Sequence, residues 1–395
     1  MNEKAHTNIV LCAAPFPPKN STIMFLKEER NIAFELMPTL TNFLEATPLL
    51  DLERGDSKVL ADLFRRDGQP GLTISKELGG RGVRAVNMAQ LHTWIGAHCP
   101  SLAVMMTMHH HTVAGMMAGS RFFPDIQDLL SLVAHDKLLV ASGFSEGRPN
   151  AHILESKMTV EKTLDGYIVN GSKKPCTMTH NFDLITFGVN HVDPEGQTHI
   201  GIGVGFAGDS SIERKKFWSV PHLQAADSHE VRFNNLVVPE SMMCFSTAVD
   251  DQLDDAQHGT GNHLFAIWFQ LLASASYLGM ASALASRALS CNKGSQDDRA
   301  MLLIDLQGAT MALRGLAGSI DEKRFLRSDL ARAQATRFSV QEAVHRISTR
   351  AFEILGGMAF MSSEDVAYLL VVTRLFAFHP TSRLASTPFL CEQLS

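Results

Sequence analysis

Ala141-Ser142-Gly143-Phe144-Ser145-Glu146-Gly147 opens the stretch that decides the fold, and Leu236-Val237-Val238-Pro239 closes it. Between them Lys157-Met158-Thr159-Val160-Glu161 and Tyr167-Ile168-Val169-Asn170-Gly171 flank a turn at Leu164-Asp165-Gly166. Alternating or β-branched runs split by Asp-Gly and Asn-Gly are the strongest local hairpin signal in a sequence. Further strands are predicted over Leu184–Val189, His199–Phe206 and Ser228–Phe233. The stretch predicts a compact antiparallel β-domain set between two helical blocks.

Outward from it, the pattern turns helical. Residues 1–20, with Pro15, Pro17 and Pro18, read as an irregular arm, and helical periodicity starts near Thr22. Helices are predicted near Lys58–Arg66, from Val86 to Gly119 and from Pro124 to Leu132. After an acidic connector at Asp250–Gly261, further helices are predicted over His263–Leu289, Asp297–Ala317, Asp321–Ile354 and Ser363–Leu375. The start signal of the last is Ser362-Ser363-Glu364-Asp365. The expected domains are therefore 1–135 (helical), 136–250 (β) and 251–395 (helical bundle), an α+β multidomain fold.

Composition narrows the function classes. The 395 residues carry a net charge of −6, so nothing global favours nucleic acid or an acidic membrane. Cysteines 12, 99, 176, 244, 291 and 391 are scattered without a Cys-x-x-Cys pair, which fits a reducing cytoplasm and neither a zinc site nor a disulfide framework. No basic-then-apolar leader stands at the N-terminus, and polar residues interrupt the apolar runs, so no membrane span is expected. No Walker motif is present. His109-His110-His111 point about 100° apart on a helix and cannot ligate one metal from one face. No metal is expected, and the simplest reading places one of them in the core and two near solvent.

Phe144-Ser145-Glu146 resembles the Val-Thr-Glu-Pro strand end of acyl-CoA dehydrogenases. Trp218 followed by Ser228–Phe233 and Val237-Val238-Pro239-Glu240 is similar to that family's closing β signature. Glu77–Gly82 and Ile354-Leu355-Gly356-Gly357-Met358-Ala359-Phe360 agree in order, so the resemblance spans roughly residues 60–380. It implies FAD held between the β-domain and a C-terminal four-helix bundle. Phe144, Ser145 and Thr177 would touch the flavin ring, where hydroxyl donors stabilise charge that develops on reduction. Glu353, Gly356, Gly357 and Thr381 would complete cofactor binding, the diglycine serving the FAD of a neighbouring subunit, which implies a homodimer or homotetramer.

Departures from the family bear on activity. Glu353 stands where the family has Gln, Gln224 replaces an arginine, and Asn292-Lys293 lacks the Arg-x-x-Phe-Gly phosphate clamp. Phe376–Arg383 replaces Tyr-Glu-Gly-Thr, and Phe269-Gln270 occupies the alternative base position, so neither standard carboxylate base is present. His379 is the one titratable residue at the right place, and an ordinary imidazole pKa near 6.5 suits base work. Arg374 and His379 also resemble the Arg-x4-His of related flavin monooxygenases. The resemblance thus implies either oxidation of an acyl thioester on CoA or a carrier protein, with an electron acceptor, or oxygenation supplied by a partner flavin reductase. A degenerate non-redox relative is the third reading.

Overall fold

The computed structural model describes residues 26–120, 124–148, 156–193, 195–246, 260–291, 293–322 and 327–395. The expected arm at 1–20, Cys12, Asn292 and nearly all of the acidic connector lie outside the described residues. The first block runs α1 Lys27–Leu36, α2 Pro38–Ala46, α3 Leu49–Glu53, α4 Ser57–Arg65, α5 Ala85–His98, α6 Pro100–Gly119 and α7 Pro124–Asp136. The strands follow: β1 Val140–Gly143, β2 Thr159–Thr163, β3 Gly166–Cys176, β4 Leu184–Val192, β5 Thr198–Phe206, β6 Ile212–Lys215, β7 His229–Val238 and β8 Met243–Ser246. The last block is α8 Thr260–Ser290, α9 Gln296–Asp321, α10 Arg327–Leu355, α11 Gly357–Ser362, α12 Glu364–Val372 and α13 Arg383–Leu394.

The strands form two four-stranded sheets, β1-β4-β5-β8 and β2-β3-β7-β6. The hairpin at Leu164-Asp165 is as expected, with Thr163 paired to Gly166. Gly166 adopts φ 129°, and a Cβ there would lie 2.3 Å from the Val238 carbonyl oxygen, so the turn admits no other residue without moving β7. The sheets face each other through Phe187 and Phe233, whose ring centroids are 4.7 Å apart. One pairing is not antiparallel: β1 runs parallel to β4. It enters straight from α7, and its end delivers Phe144 and Ser145 to the helical bundle.

α6 is buried on nearly every side, which explains a sequence apolar around its whole circumference. Gly96 and Gly279 let α5 and α8 touch backbone to backbone. A Cβ on Gly96 would lie 2.1 Å from the Ser276 carbonyl oxygen, and one on Gly279 would lie 2.0 Å from that of Thr93. Glu53 on α3 is fully buried and tied to three elements. It accepts from the Ser101 backbone N–H (2.8 Å) and hydroxyl (2.6 Å), from Cys99 and from the Tyr368 hydroxyl on α12. Leu264–Ser290 of α8 is long and apolar enough to cross a bilayer. The window that meets that test is 83% buried inside the fold, so the apolar run serves the core of the bundle.

Candidate active site

A continuous file of rings runs from the end of β1 to the last turn of the bundle. Phe144 packs on Phe265 (centroids 4.8 Å), Phe265 on His111 (4.4 Å), and His111 on Phe269 (5.2 Å). Phe269 meets His379 at 6.0 Å, His379 meets Tyr277 at 5.3 Å, and Tyr277 stacks on Phe376 at 4.6 Å. Phe265, Phe269 and Tyr277 all come from α8, so this one helix carries the wall between Phe144 and His379.

His379 follows a 3-10 turn over Thr373–Phe378. Its Nε2 lies 2.9 Å from the Tyr277 hydroxyl, which leaves Nδ1 for chemistry. The loop is clamped from α10. Arg337, 1% exposed, donates to the carbonyls of Thr381 (2.8 Å), Phe376 (3.3 Å) and His379 (2.6 Å). Burial pushes this guanidinium down to about 10, so it stays charged at neutral pH, and its Nε has no partner among the described residues. Burial, reinforced by the Arg337 charge, pushes the His379 imidazole down to about 3. His379 is therefore neutral throughout the physiological range, not poised near 6.5 as the sequence suggested.

All three histidines of α6 are buried, so the expected solvent-facing pair is not found: α6 has no solvent face at that level. Two of them are satisfied in a chain whose protons can be assigned. The Val140 N–H donates to His109 Nδ1 (2.9 Å), so His109 Nε2 carries the proton and donates to the Pro70 carbonyl (2.9 Å). His110 Nε2 donates to the Gln69 carbonyl (3.1 Å), leaving Nδ1 to accept from His92 Nε2 (3.0 Å). His92 Nδ1 then accepts from the hydroxyls of Ser276 or Thr107. His111 differs: neither ring nitrogen meets a partner of hydrogen-bond geometry among the described residues.

The candidate ring-edge hydroxyls sit on the β-domain. Thr177 Oγ1 and Ser228 Oγ are 3.0 Å apart. One bond between two hydroxyls uses one hydrogen, so one O–H of the pair remains to donate elsewhere. Ser145 offers its hydroxyl beside the half-buried end of β1, while its carbonyl accepts from the Lys174 N–H (2.8 Å). Glu146 is engaged structurally. Burial works against its ionisation, but Lys173 (2.8 Å) and Ser156 (2.6 Å) overcome this and lower its pKa.

His180, Asp227 and His229 bring three donor atoms within 4.8 Å of one another. His229 Nδ1, however, accepts from the backbone N–H groups of Phe217 and Trp218, both at 3.1 Å. That assigns the remaining proton to Nε2, the nitrogen facing Asp227, and leaves no lone pair there for a metal. With His180 Nδ1 donating to Asp227 at 2.7 Å, the group reads as a hydrogen-bonded array.

No protein-family model matches the chain. It is 37% identical over 375 residues to isobutylamine N-hydroxylase of Streptomyces viridifaciens, which covers 94% of this chain and 98% of that protein. The chain belongs to the acyl-CoA dehydrogenase superfamily. FMN-bound TdsC from Paenibacillus sp. A11-2 superposes with a TM-score of 0.78 at 19% identity, covering 93% of this chain and 97% of TdsC. Nitrososynthase from Micromonospora carbonacea var. africana gives 0.77 at 17% identity, with the same coverage.

Set against this superfamily's motifs, the expected residues divide into two groups. Phe144 and His379 stand at the two ends of one ring file. Glu353 is exposed at the end of α10, and Gly356, at φ 81°, breaks that helix. Nineteen residues separate Arg337 from Gly356, about 28 Å along a helical path at roughly 1.5 Å per residue. Within one chain the diglycine and His379 thus lie at opposite ends of the bundle. Lys293 donates to the Leu355 carbonyl (3.2 Å) beside that turn. Thr381 contributes its backbone carbonyl to Arg337. Arg374, expected to pair functionally with His379, instead bonds the Thr349 hydroxyl at 2.6 Å. Arg337 is the arginine that holds the His379 loop, and the sequence reading passed over it. The available signal was a cation at a position whose helical neighbours Ala333, Val340 and Val344 are all core.

Proposed function

We propose that this chain is a flavin-dependent monooxygenase that N-hydroxylates a small amine, with reduced flavin delivered by a partner reductase. The observation that carries this reading is the setting of His379. It is a neutral imidazole against Tyr277 and Phe269, in a loop held by a buried cation, with no carboxylate in contact among the described residues. Removal of an α-proton from an acyl thioester asks for a carboxylate at this place. Oxygen transfer to nitrogen asks instead for an amine with a free lone pair and a neutral acceptor that orients its N–H, a role open to His379 Nδ1 when Nε2 carries the proton and donates to the Tyr277 hydroxyl oxygen. The similarity to isobutylamine N-hydroxylase supports the same reading. When bound, the reduced flavin supplies two electrons and activates O₂: one oxygen atom joins nitrogen, giving R–NHOH from R–NH₂, and the other leaves as water.

The residues present fit a flavin ring: Phe144 offers an apolar face, and Ser145 with the Thr177–Ser228 pair offers donors. The diglycine, which in the resembling family approaches the diphosphate of a neighbouring subunit's cofactor, favours the dinucleotide form, FAD, over FMN. Assay of isobutylamine with NADH, a flavin reductase and O₂ is expected to yield the hydroxylamine by mass spectrometry. Anaerobic bleaching of the bound flavin by an acyl thioester, with no amine product, would overturn the proposal in favour of α,β-dehydrogenation.

Two expected outcomes arise from the cofactor placement. Ser145→Ala and Thr177→Ala should each loosen flavin several-fold, since one neutral hydrogen bond is worth about 0.5–1.5 kcal/mol. Unchanged flavin retention and potential in both variants would place the ring elsewhere. Assembly is the second. A Cβ built on Gly357 meets no atom within 4 Å, and the neighbouring Met358 and Met361 are 61% and 72% exposed. Phe378 and Leu384 are each 80% exposed on the same block. We expect further copies to cover these two apolar patches, one at each end of the bundle, giving a dimer or tetramer by light scattering. A monomer that retains flavin at micromolar concentration would contradict this arrangement.

A further inference from the structure

Gln270, 3% exposed, carries a buried amide whose carbonyl oxygen has no partner among the described residues. Ser274, one turn on along α8 and fully buried, has an equally unpartnered hydroxyl. Residues four apart on a helix are side by side, so the two orphan groups form one polar spot in an otherwise apolar wall. Orphan buried groups of this kind are rare in folded proteins because each forfeits its hydrogen bonds to water.

The spot lies at the proposed site of chemistry. Seven residues bring a helix almost back to the same face, so Gln270 shares its face with Tyr277, the residue bonded to His379. Phe269, its chain neighbour, touches the His379 ring directly.

We infer that Gln270 is the amine-recognition residue of this site, its Oε1 accepting a substrate N–H with Ser274 Oγ beside it; this rests on the N-hydroxylation reading above. A neutral amide is chemically apt for that task. It holds an amine through N–H and leaves the nitrogen lone pair free to attack oxygen. A carboxylate in its place would hold the protonated ammonium, whose lone pair is already used. The rings of Phe144, Phe265 and Phe269 set the rest of the ligand: a short apolar tail. The substrate class is therefore primary amines with small aliphatic groups. In the free-base form that this neutral amide selects, tertiary amines lack the N–H that Gln270 reads.

The test uses flavin-loaded protein and three probes: isobutylamine, n-propylamine and N,N-dimethylisobutylamine. Thermal-shift titration of the wild type should show stabilisation by the two primary amines and little by the tertiary one. Gln270→Met should raise the isobutylamine dissociation constant about 3- to 12-fold, the worth of one neutral hydrogen bond. Its melting temperature without amine should rise, because a buried carbonyl oxygen without a partner is gone. Gln270→Glu should retain amine binding and lose turnover. If the wild type binds and oxidises isobutylamine while Gln270→Met binds it equally well, this assignment is wrong and the N-hydroxylation reading stands. A lower melting temperature for Gln270→Met would show a structural amide and also overturn it. A wild type that neither binds nor oxidises any primary amine overturns both.

Discussion

Replacing His379 by alanine should lower amine turnover by roughly 10- to 150-fold, the loss of one hydrogen bond of about 1.5–3 kcal/mol to charge developing on the amine nitrogen. The variant should fold. The backbone carbonyls that Arg337 grips belong to Phe376, His379 and Thr381, and none of them depends on the imidazole. Tyr277 loses its partner at Nε2, a cost of about 1 kcal/mol, so the melting temperature should fall only slightly. Reduced flavin and O₂ still meet in such a variant, so consumption of NADH should continue and end in hydrogen peroxide. Turnover, peroxide yield and melting temperature on that single variant separate the possibilities. Lost turnover with peroxide release supports the assigned role. Lost melting temperature with normal turnover per folded molecule makes His379 a structural residue. Full, coupled activity removes it from the chemistry.

The pH profile carries the same argument. A base with an ordinary imidazole pKa would give a rising limb near 6.5, but burial and Arg337 push His379 to about 3. The groups facing it do not titrate near neutrality either: Tyr277 is raised far above its usual value by burial, Arg337 stays charged, and burial pushes His111 to about 3. Any rise of kcat/KM between pH 6 and 9 should therefore follow the substrate's ammonium group and move with the amine chosen. A limb that stays near 6.5 for amines of different basicity would contradict a half-buried, neutral His379.

Most of the architecture was legible because local signals and tertiary demands coincide. Asp165-Gly166 marks the hairpin, and the alternation that follows it becomes β3 and β7, whereas Asn170-Gly171 is no turn and falls inside β3 at a shift of register. Phe144-Ser145-Glu146 and the diglycine placed the superfamily, and with it the end of β1 and the last bundle turn. What stayed hidden depends on contacts far apart in sequence. The parallel pairing of β1 with β4 leaves no local mark. Arg374 is nearer His379 in sequence, yet Arg337, forty-two residues away, holds its loop. Gln270 looked like a missing base, and only its burial without a partner shows a group free for a ligand. The three histidines of α6 could not be assigned because helical phase gives direction but not what lies there: here protein on every side.

Those histidines make the protein acid-labile, the second large expected effect. His92, His109, His110 and His111 are each no more than 2% exposed, and burial holds each imidazole well below its ordinary pKa, to about 3, 4 and 3 for His92, His109 and His111. In the unfolded chain each takes up a proton near pH 6.5, so below that pH the unfolded state binds more protons than the folded one. Their stabilising share is complete above pH 6.5 and is lost as pH falls from there towards 4. Each contributes up to about 1.4 kcal/mol per pH unit, hence roughly 5 to 6 for the four. Glu53 and Glu29 act in the opposite sense, since burial raises both pKa values, and offset at most about 2.7 of that slope over part of the window. The histidines win by about 3 kcal/mol per pH unit, against a total stability of roughly 5–15 kcal/mol for a typical protein. Urea midpoints measured from pH 8 to 4.5 should be flat down to about 6.5 and then fall steeply, with unfolding complete within about two further units. His111→Leu should shallow the fall by roughly a quarter to a half, about 1.4 kcal/mol per pH unit out of a slope of about 3 to 5, and cost little at pH 8, because neither ring nitrogen meets a partner of good hydrogen-bond geometry among the described residues. A midpoint that holds level to pH 5 would mean that these imidazoles find room to charge inside the fold, which their burial and fixed proton pattern deny.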